Sequence, residues 1–220
     1  MDLHFERRMN MIKKYWKLLL LTSIIILLPV LAGLMLWDQL PQQVPCHWNL
    51  NGEVDGWCGK GVVVFGMPLL MLAVQFICLL ATTADPKRKN HPEKVLQLVL
   101  WIIPILSVVL LAVTYAVALG EEVRIEKVTP VLLGLILTVV GNYMPKCKQN
   151  YTIGIKIPWT LHSEENWNRT HRFAGRLWVV CGLGITVTGF LGCAQYAIPF
   201  ALLMVLVPVL YSYLLHRKGI

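Results

Sequence analysis

Charge is scarce in this chain of 220 residues: Asp, Glu, Lys and Arg make up 15% of it, against roughly 25% in soluble domains. Apolar types fill 56% of positions, and mean hydropathy is +0.61. That composition excludes a secreted disulfide scaffold, a disordered regulator and an ordinary cytosolic enzyme, and it points to lipid as the solvent. Other absences narrow the chemistry. No zinc-finger or RNA-binding signature is present. HSEENWNRTH lacks the His-Glu-x-x-His of zinc proteases, and there is no phosphate loop or nucleophile-base pattern.

What is there is a set of long apolar runs. A spanning helix needs roughly 20 apolar residues, and the chain offers them at 18–36, 61–81, 95–118, 128–144, 177–191 and 197–215. The last two form a hairpin of helices turning at Gly192, Cys193, Ala194 and Gln195. None of the six runs holds Asp, Glu, Lys, Arg or His; Gln75 and Gln97 are the most polar interior side chains. A pump or proton relay needs an ionisable group at membrane depth, so that class is disfavoured. The first run is longer than a signal-peptide core and lacks a small-x-small cleavage site, so it is expected to stay in the protein.

Net charge is +8, and its distribution gives the orientation. Seventeen Lys and Arg fall in the N-terminal arm, the 82–94 loop, the 145–176 segment and the tail, whereas the opposite side keeps only Lys60, Arg124 and Lys127. The positive-inside rule places both termini in the cytoplasm. Basicity therefore reflects topology, with no direct nucleic-acid partner.

Two polar segments remain. The outer loop, 37–60, reads WDQLPQQVPCHWNLNGEVDGWCGK. Pro41 and Pro45 stiffen it, and Asn51-Gly52 and Asp55-Gly56 read as turn dipeptides. Trp37, Trp48 and Trp57 suit the headgroup zone, and His47, Asn49, Asn51, Glu53 and Asp55 form its polar set. The inner segment, 141–176, has Pro145 and Pro158 in its first half, a turn at Gly154 and an N-cap at Ser163. Trp167, Thr170, His171, Ala174 and Trp178 then recur at helical spacing. The stripe predicts an amphipathic helix lying on the inner leaflet and bending into the fifth span, with Arg169, Arg172 and Arg176 near lipid headgroups.

VPCHWNLNGEVDGW resembles the DUF1648 module, with its proline, His47-Trp48-Asn49, Asn51-Gly52 and Asp55-x-Trp57. The inner segment is similar to the signature of the SdpI-like immunity protein family, through Gly141, Asn142, Pro145, Lys146, Pro158, Trp159, Thr160, Leu161, Trp167, Thr170, His171, Arg172 and Gly175. The resemblance implies a bacterial plasma-membrane protein that protects its host from a secreted, membrane-acting peptide toxin of the SdpC kind. It also implies signalling, by holding a cognate repressor at the membrane. The implied partners are lipid, toxin and repressor, with no cofactor, no metal and no catalysis. Where the family has Arg before Pro-Trp, this chain has Lys156, which keeps the charge and loses the planar fork.

Several residues carry two readings. Cys46 and Cys58 face the oxidising side, either as a disulfide worth roughly 3 kcal/mol or as two thiols. Zinc through Cys46, His47 and Cys58 lacks a paired-ligand spacing. His162 and His171 do not converge on one helix face, and His171 is better read as bonding a backbone group. Trp159 reads as an interface anchor or as part of a rigid turn for a partner, and Asn142 as a bond between helices. Cys78, Cys181 and Cys193 read as packing residues. The sequons at Asn150 and Asn168 lie on the cytoplasmic side. The expected fold is an all-α membrane domain over 1–220, with six spans, a compact outer loop and an inner interfacial helix. A DUF1648-like module covers 18–60 and an SdpI-like module 128–215. The competing functions are a membrane enzyme or lipid-handling protein using His47, Asp55 and the His171 face, and a small transporter.

Overall fold

The computed structural model describes residues 3–49 and 51–220; of the residues in the charge count, the side chains of Arg7, Arg8, Lys13 and Arg88 lie outside that description. Among the described residues six helices are long and apolar enough to cross a membrane: Lys14–Met35, Val62–Ala84, Glu93–Ala118, Ile125–Lys146, Glu164–Phe190 and Ala194–Arg217. Helix is the expected solution, because in hydrocarbon every backbone group must be paired within its own segment. The chain divides into two compact units: Met1–Asn49, Glu53–Ala84 and Leu96–Val123 in the first, and Leu50–Gly52, Asp85–Val95 and Arg124–Ile220 in the second.

The first unit contains α1 (Leu3–Met35), β1 (Gln43–Trp48), β2 (Val54–Gly59), α2 (Met67–Ala84) and most of α3 (Glu93–Ala118). A π-turn at Val62–Gly66 precedes α2, with Met67 N donating to Val62 O. Its cause is close by: Pro68 has no N–H to offer a carbonyl one turn back. Polar staples tie the helices together. Ser107 donates to Ile26 O at 2.9 Å, Tyr115 to Pro29 O at 3.1 Å, and Gln75 Nε2 to Thr22 Oγ1 at 3.1 Å.

The outer loop, read from the sequence as compact and turn-rich, is an antiparallel β-hairpin. Asn51-Gly52 makes the turn, with Gly52 at φ +82°. Asp55-Gly56 does not turn; it lies inside β2 opposite His47, and a Cβ on Gly56 would come within 2.8 Å of the His47 Cβ. Leu40 and Val44 sit in a core with Val63, Val64, Leu111 and Tyr115, which seats the hairpin on the ends of the three helices.

The second unit contains α4 (Ile125–Tyr143), α5 (Pro158–His162), α6 (Glu164–Phe190) and α7 (Ala197–Arg217). Glycines seven residues apart line the facing sides of α4 and α6: Gly134 and Gly141 against Gly175, Gly182 and Gly189. A Cβ on Gly182 would lie 2.7 Å from Thr138 N and 2.8 Å from Gly134 O. Seven residues are nearly two turns, so the bare stripe stays on one side and the backbones touch. By contrast α7 meets α6 through side chains: Phe173 stacks on Tyr211 at 4.5 Å, and Trp178 Nε1 donates to Met204 O at 3.0 Å. The α6–α7 turn ends α6 on Gly192 at φ +70°, with Cys193 N reaching back to Thr188 O at 2.8 Å.

The inner interfacial helix takes a different form from the one expected. Ser163 does cap α6, accepting from Asn166 N at 3.1 Å. From there the helix continues unbroken for 27 residues into the span. The stripe of Trp167, Thr170, His171 and Ala174 is buried by protein. Over Trp167 and His171 the cover is the unit's own 147–157 segment, which sequence periodicity could not place.

Candidate functional site

Two constellations carry the polar residues: the hairpin, whose strands belong to the first unit, and the 147–157 segment of the second. In the hairpin a disulfide joins Cys46 to Cys58, with Cα atoms 5.8 Å apart. His47 Nδ1 donates to Asp55 Oδ1 at 2.5 Å, and both side chains are exposed. Asn49 and Glu53 bond each other across the turn, the Asn49 amide to Glu53 Oε2 at 2.8 Å and Glu53 N to Asn49 Oδ1 at 3.0 Å. Trp57 is 58% exposed, whereas the Trp48 Nε1 is buried. Asn51 is exposed at the turn. Gly52 packs against Glu126, whose main-chain N would lie 3.1 Å from a Cβ there. Lys60 donates to Trp37 O at 3.0 Å and lies over the Trp37 ring.

The inner constellation is built around His171. Its Nδ1 donates to Trp167 O at 2.8 Å, and its Nε2 accepts from Ile155 N at 3.0 Å. One nitrogen donates and the other accepts, so the ring is the neutral Nδ1–H tautomer. The ring also stacks on Trp167 at 4.0 Å. Trp167 Nε1 in turn donates to Cys147 O at 2.8 Å. Gly154 takes φ +124°, and a Cβ there would sit 2.5 Å from His171 Nε2. The 147–157 segment is thus shaped onto one face of α6, and His171 has no ring nitrogen left for a metal or a proton transfer.

Thr160 fixes the end of this segment. It donates to Ile155 O at 2.8 Å and Ile157 O at 2.9 Å, and it accepts from Ile157 N at 3.1 Å. Pro158 begins α5, where its missing N–H costs nothing. Trp159 stacks on His216 at 5.9 Å and meets Tyr213 at 5.5 Å. His162 Nδ1 donates to Pro158 O at 2.6 Å, apart from His171. Thr170 donates to Asn166 Oδ1, which also accepts from Ser212. Gly175 packs on Pro145, with ring carbons 2.7 and 2.8 Å from a Cβ there. Lys146 lies over the Tyr143 ring. Lys156, Arg172 and Asn142 are exposed, so Asn142 makes no buried bridge between helices.

Sequence reasoning missed the second layer beneath this surface. Asp85 and His91 are almost fully buried, with His91 Nε2 donating to Asp85 Oδ2 at 3.2 Å. Asp85 Oδ2 also accepts from Thr152 Oγ1 at 2.6 Å and Tyr151 N at 2.9 Å, while Oδ1 accepts from Lys87 N at 2.7 Å. Burial pushes the Asp85 carboxyl up, but these donors outweigh it and hold the group below the usual carboxylate range. Burial lowers His91, with Asp85 opposing. Gln149 accepts from Lys87 and donates to Thr160 O at 2.8 Å and Leu161 O at 2.9 Å. Asn150 Oδ1 accepts from Thr152 N at 2.8 Å and Ile153 N at 2.7 Å. The signal was an acid, Asp85, directly ahead of Pro86 and of the basic run Lys87, Arg88 and Lys89.

Six membrane-spanning helices, a hairpin at the helix ends and a tightly bonded segment folded onto α6 define a multi-pass cell-membrane protein. Residues 146–212 match the SdpI/YfhL protein family, and residues 24–72 match a domain of unknown function, DUF1648. The chain is 31% identical over 193 residues to the protein named Immunity protein SdpI of Bacillus subtilis (strain 168), covering 88% of this chain and 91% of that one. No solved structure matches it. This chain belongs to the SdpI/YfhL protein family.

Proposed function

We propose that the chain is a membrane immunity protein that protects its host from a secreted, membrane-acting peptide toxin of the SdpC kind. The observation carrying this reading is the 31% identity to Immunity protein SdpI over nearly the full length of both chains. Both termini lie in the cytoplasm, so the hairpin faces the toxin and the 147–157 segment faces the cell interior. The DUF1648-like module, 18–60, and the bundle intercept the peptide. The SdpI-like module, 128–215, displays Lys156, Trp159 and Arg172 to a cognate repressor. His171 supports a binding role over catalysis, because backbone groups engage both of its ring nitrogens.

The test is survival of a toxin-sensitive bacterium expressing the chain, challenged with an SdpC-type peptide beside an empty-vector control. Protection at confirmed membrane abundance is the expected result. Equal killing with and without folded protein would refute it.

A further inference from the structure

We infer that the outer edge of β2 is a docking edge for an extended, cationic segment of a secreted peptide, bound by strand addition; this rests on the immunity reading and its orientation. Among the described residues the sheet has two strands, so each has one edge without a strand partner. The two edges differ. Each strand has one slip of register, β1 at Cys46 and β2 at Asp55, but only β1 carries a proline, Pro45, which has no N–H to offer an incoming strand. β2 has an N–H at every position from Val54 to Gly59.

Direction follows from the ladder. Lys60 N donates to Gln42 O at 3.0 Å across the pair. Strand alternation then turns the main-chain groups of Gly59 and Trp57 away from β1. The sheet face at these residues is open: a Cβ on Gly59 would meet nothing within 4 Å, and Trp57 is 58% exposed. The disulfide and the core beneath Val44 hold the strand in place, so an incoming segment meets a pre-ordered edge.

Charge selects the occupant. Within the first unit the outer segments carry Asp38, Glu53, Asp55, Glu121 and Glu122 against Lys60, in a protein of net charge +8. Lys60 is engaged with Trp37. The edge therefore lies in a locally acidic zone, which attracts a cationic strand and repels a second copy of itself. Main-chain hydrogen bonds supply affinity in strand addition, and alternate side chains supply selectivity.

The test uses the full chain in zwitterionic-lipid nanodiscs and three labelled, amidated decapeptides. The first is Lys-Val repeated five times, the second Glu-Val repeated five times, and the third the Lys-Val peptide N-methylated at every second amide. The Lys-Val peptide is expected to bind at least tenfold tighter than either of the others. Glu53→Gln with Asp55→Asn is expected to weaken it severalfold, and so is raised salt. Equal binding of the N-methylated peptide, equal binding of the Glu-Val peptide, or no binding of any probe overturns the proposal. A stable dimer that no peptide displaces assigns the edge to a second copy and also overturns it. The survival assay separates the two readings: probe binding without protection removes the immunity reading, and protection without probe binding removes the docking edge.

Discussion

Replacing Gly182 with alanine tests whether α4 and α6 are held by backbone contact. The added methyl would lie 2.7 Å from Thr138 N and 2.8 Å from Gly134 O. Unstrained carbon contacts sit at about 3.5–4.0 Å, so the two helices must part by on the order of an ångström. Overpacking of this kind costs about 1–3 kcal/mol. Part of the loss is masked, because alanine is the better helix former by about 0.5–1 kcal/mol. Gly61→Ala isolates that gain: Gly61 is helical at φ −62°, with nothing within 4 Å of its Cβ position. The informative quantity is therefore the difference between the variants, expected at about 1–3 kcal/mol in favour of Gly61→Ala. For a chain of this size that is a gap of several degrees in Tm, at about 2–4 °C per kcal/mol. Thermal unfolding in one detergent, followed by tryptophan fluorescence, reads it. Equal or greater stability of Gly182→Ala would refute the backbone seam.

The buried Asp85–His91 pair makes the second unit acid-sensitive. Both groups have folded-state values below their ordinary ones, so the unfolded state binds more protons and stability falls with falling pH. The His91 contribution declines as pH drops below about 6.5, and that of Asp85 below about 3.8. Relative to the intrinsic exchange rate, which itself slows in acid, amide protection at 149–153 is expected to fall from pH 7.5 to 5, and Asp85→Asn to lower it already at pH 7.5. Gly154→Ala forces a side chain into φ +124° and against His171. It should cost about 1–3 kcal/mol and loosen 147–157 in the same exchange experiment, leaving the hairpin unchanged. Removing the disulfide with Cys46→Ser and Cys58→Ser should destabilise the hairpin locally by about 3 kcal/mol. Limited proteolysis between residues 43 and 59 checks this: cleavage no faster than in the parent protein would refute it.

The spans were legible because hydropathy over 20 residues is an additive signal that needs no knowledge of neighbours. The hairpin was legible as a compact loop but not as strands. Its strands have six residues each, one interrupted by Pro45 and the other carrying a Asp55-Gly56 step that is commoner in turns. The inner segment showed its residues and concealed their geometry. Trp167 and His171 share a helix face by spacing alone, but the cover over them comes from a non-helical segment 16 positions away at Ile155. Asp85 was out of reach for the same reason: its partner Thr152 lies 67 residues on. Gly175 falls within a motif, whereas Gly182 and Gly189 lie in an apolar run with no motif to mark them.

The glycine seam also decides how force can travel through the second unit. Helices in backbone contact have no layer of side chains to shear, so α4 and α6 behave as a single stiff beam. The α6–α7 boundary is different: its ring stack and indole hydrogen bond can re-form at another rotamer or one turn along. Within this unit, then, mechanical compliance is concentrated at α7, and the beam is the frame against which it moves.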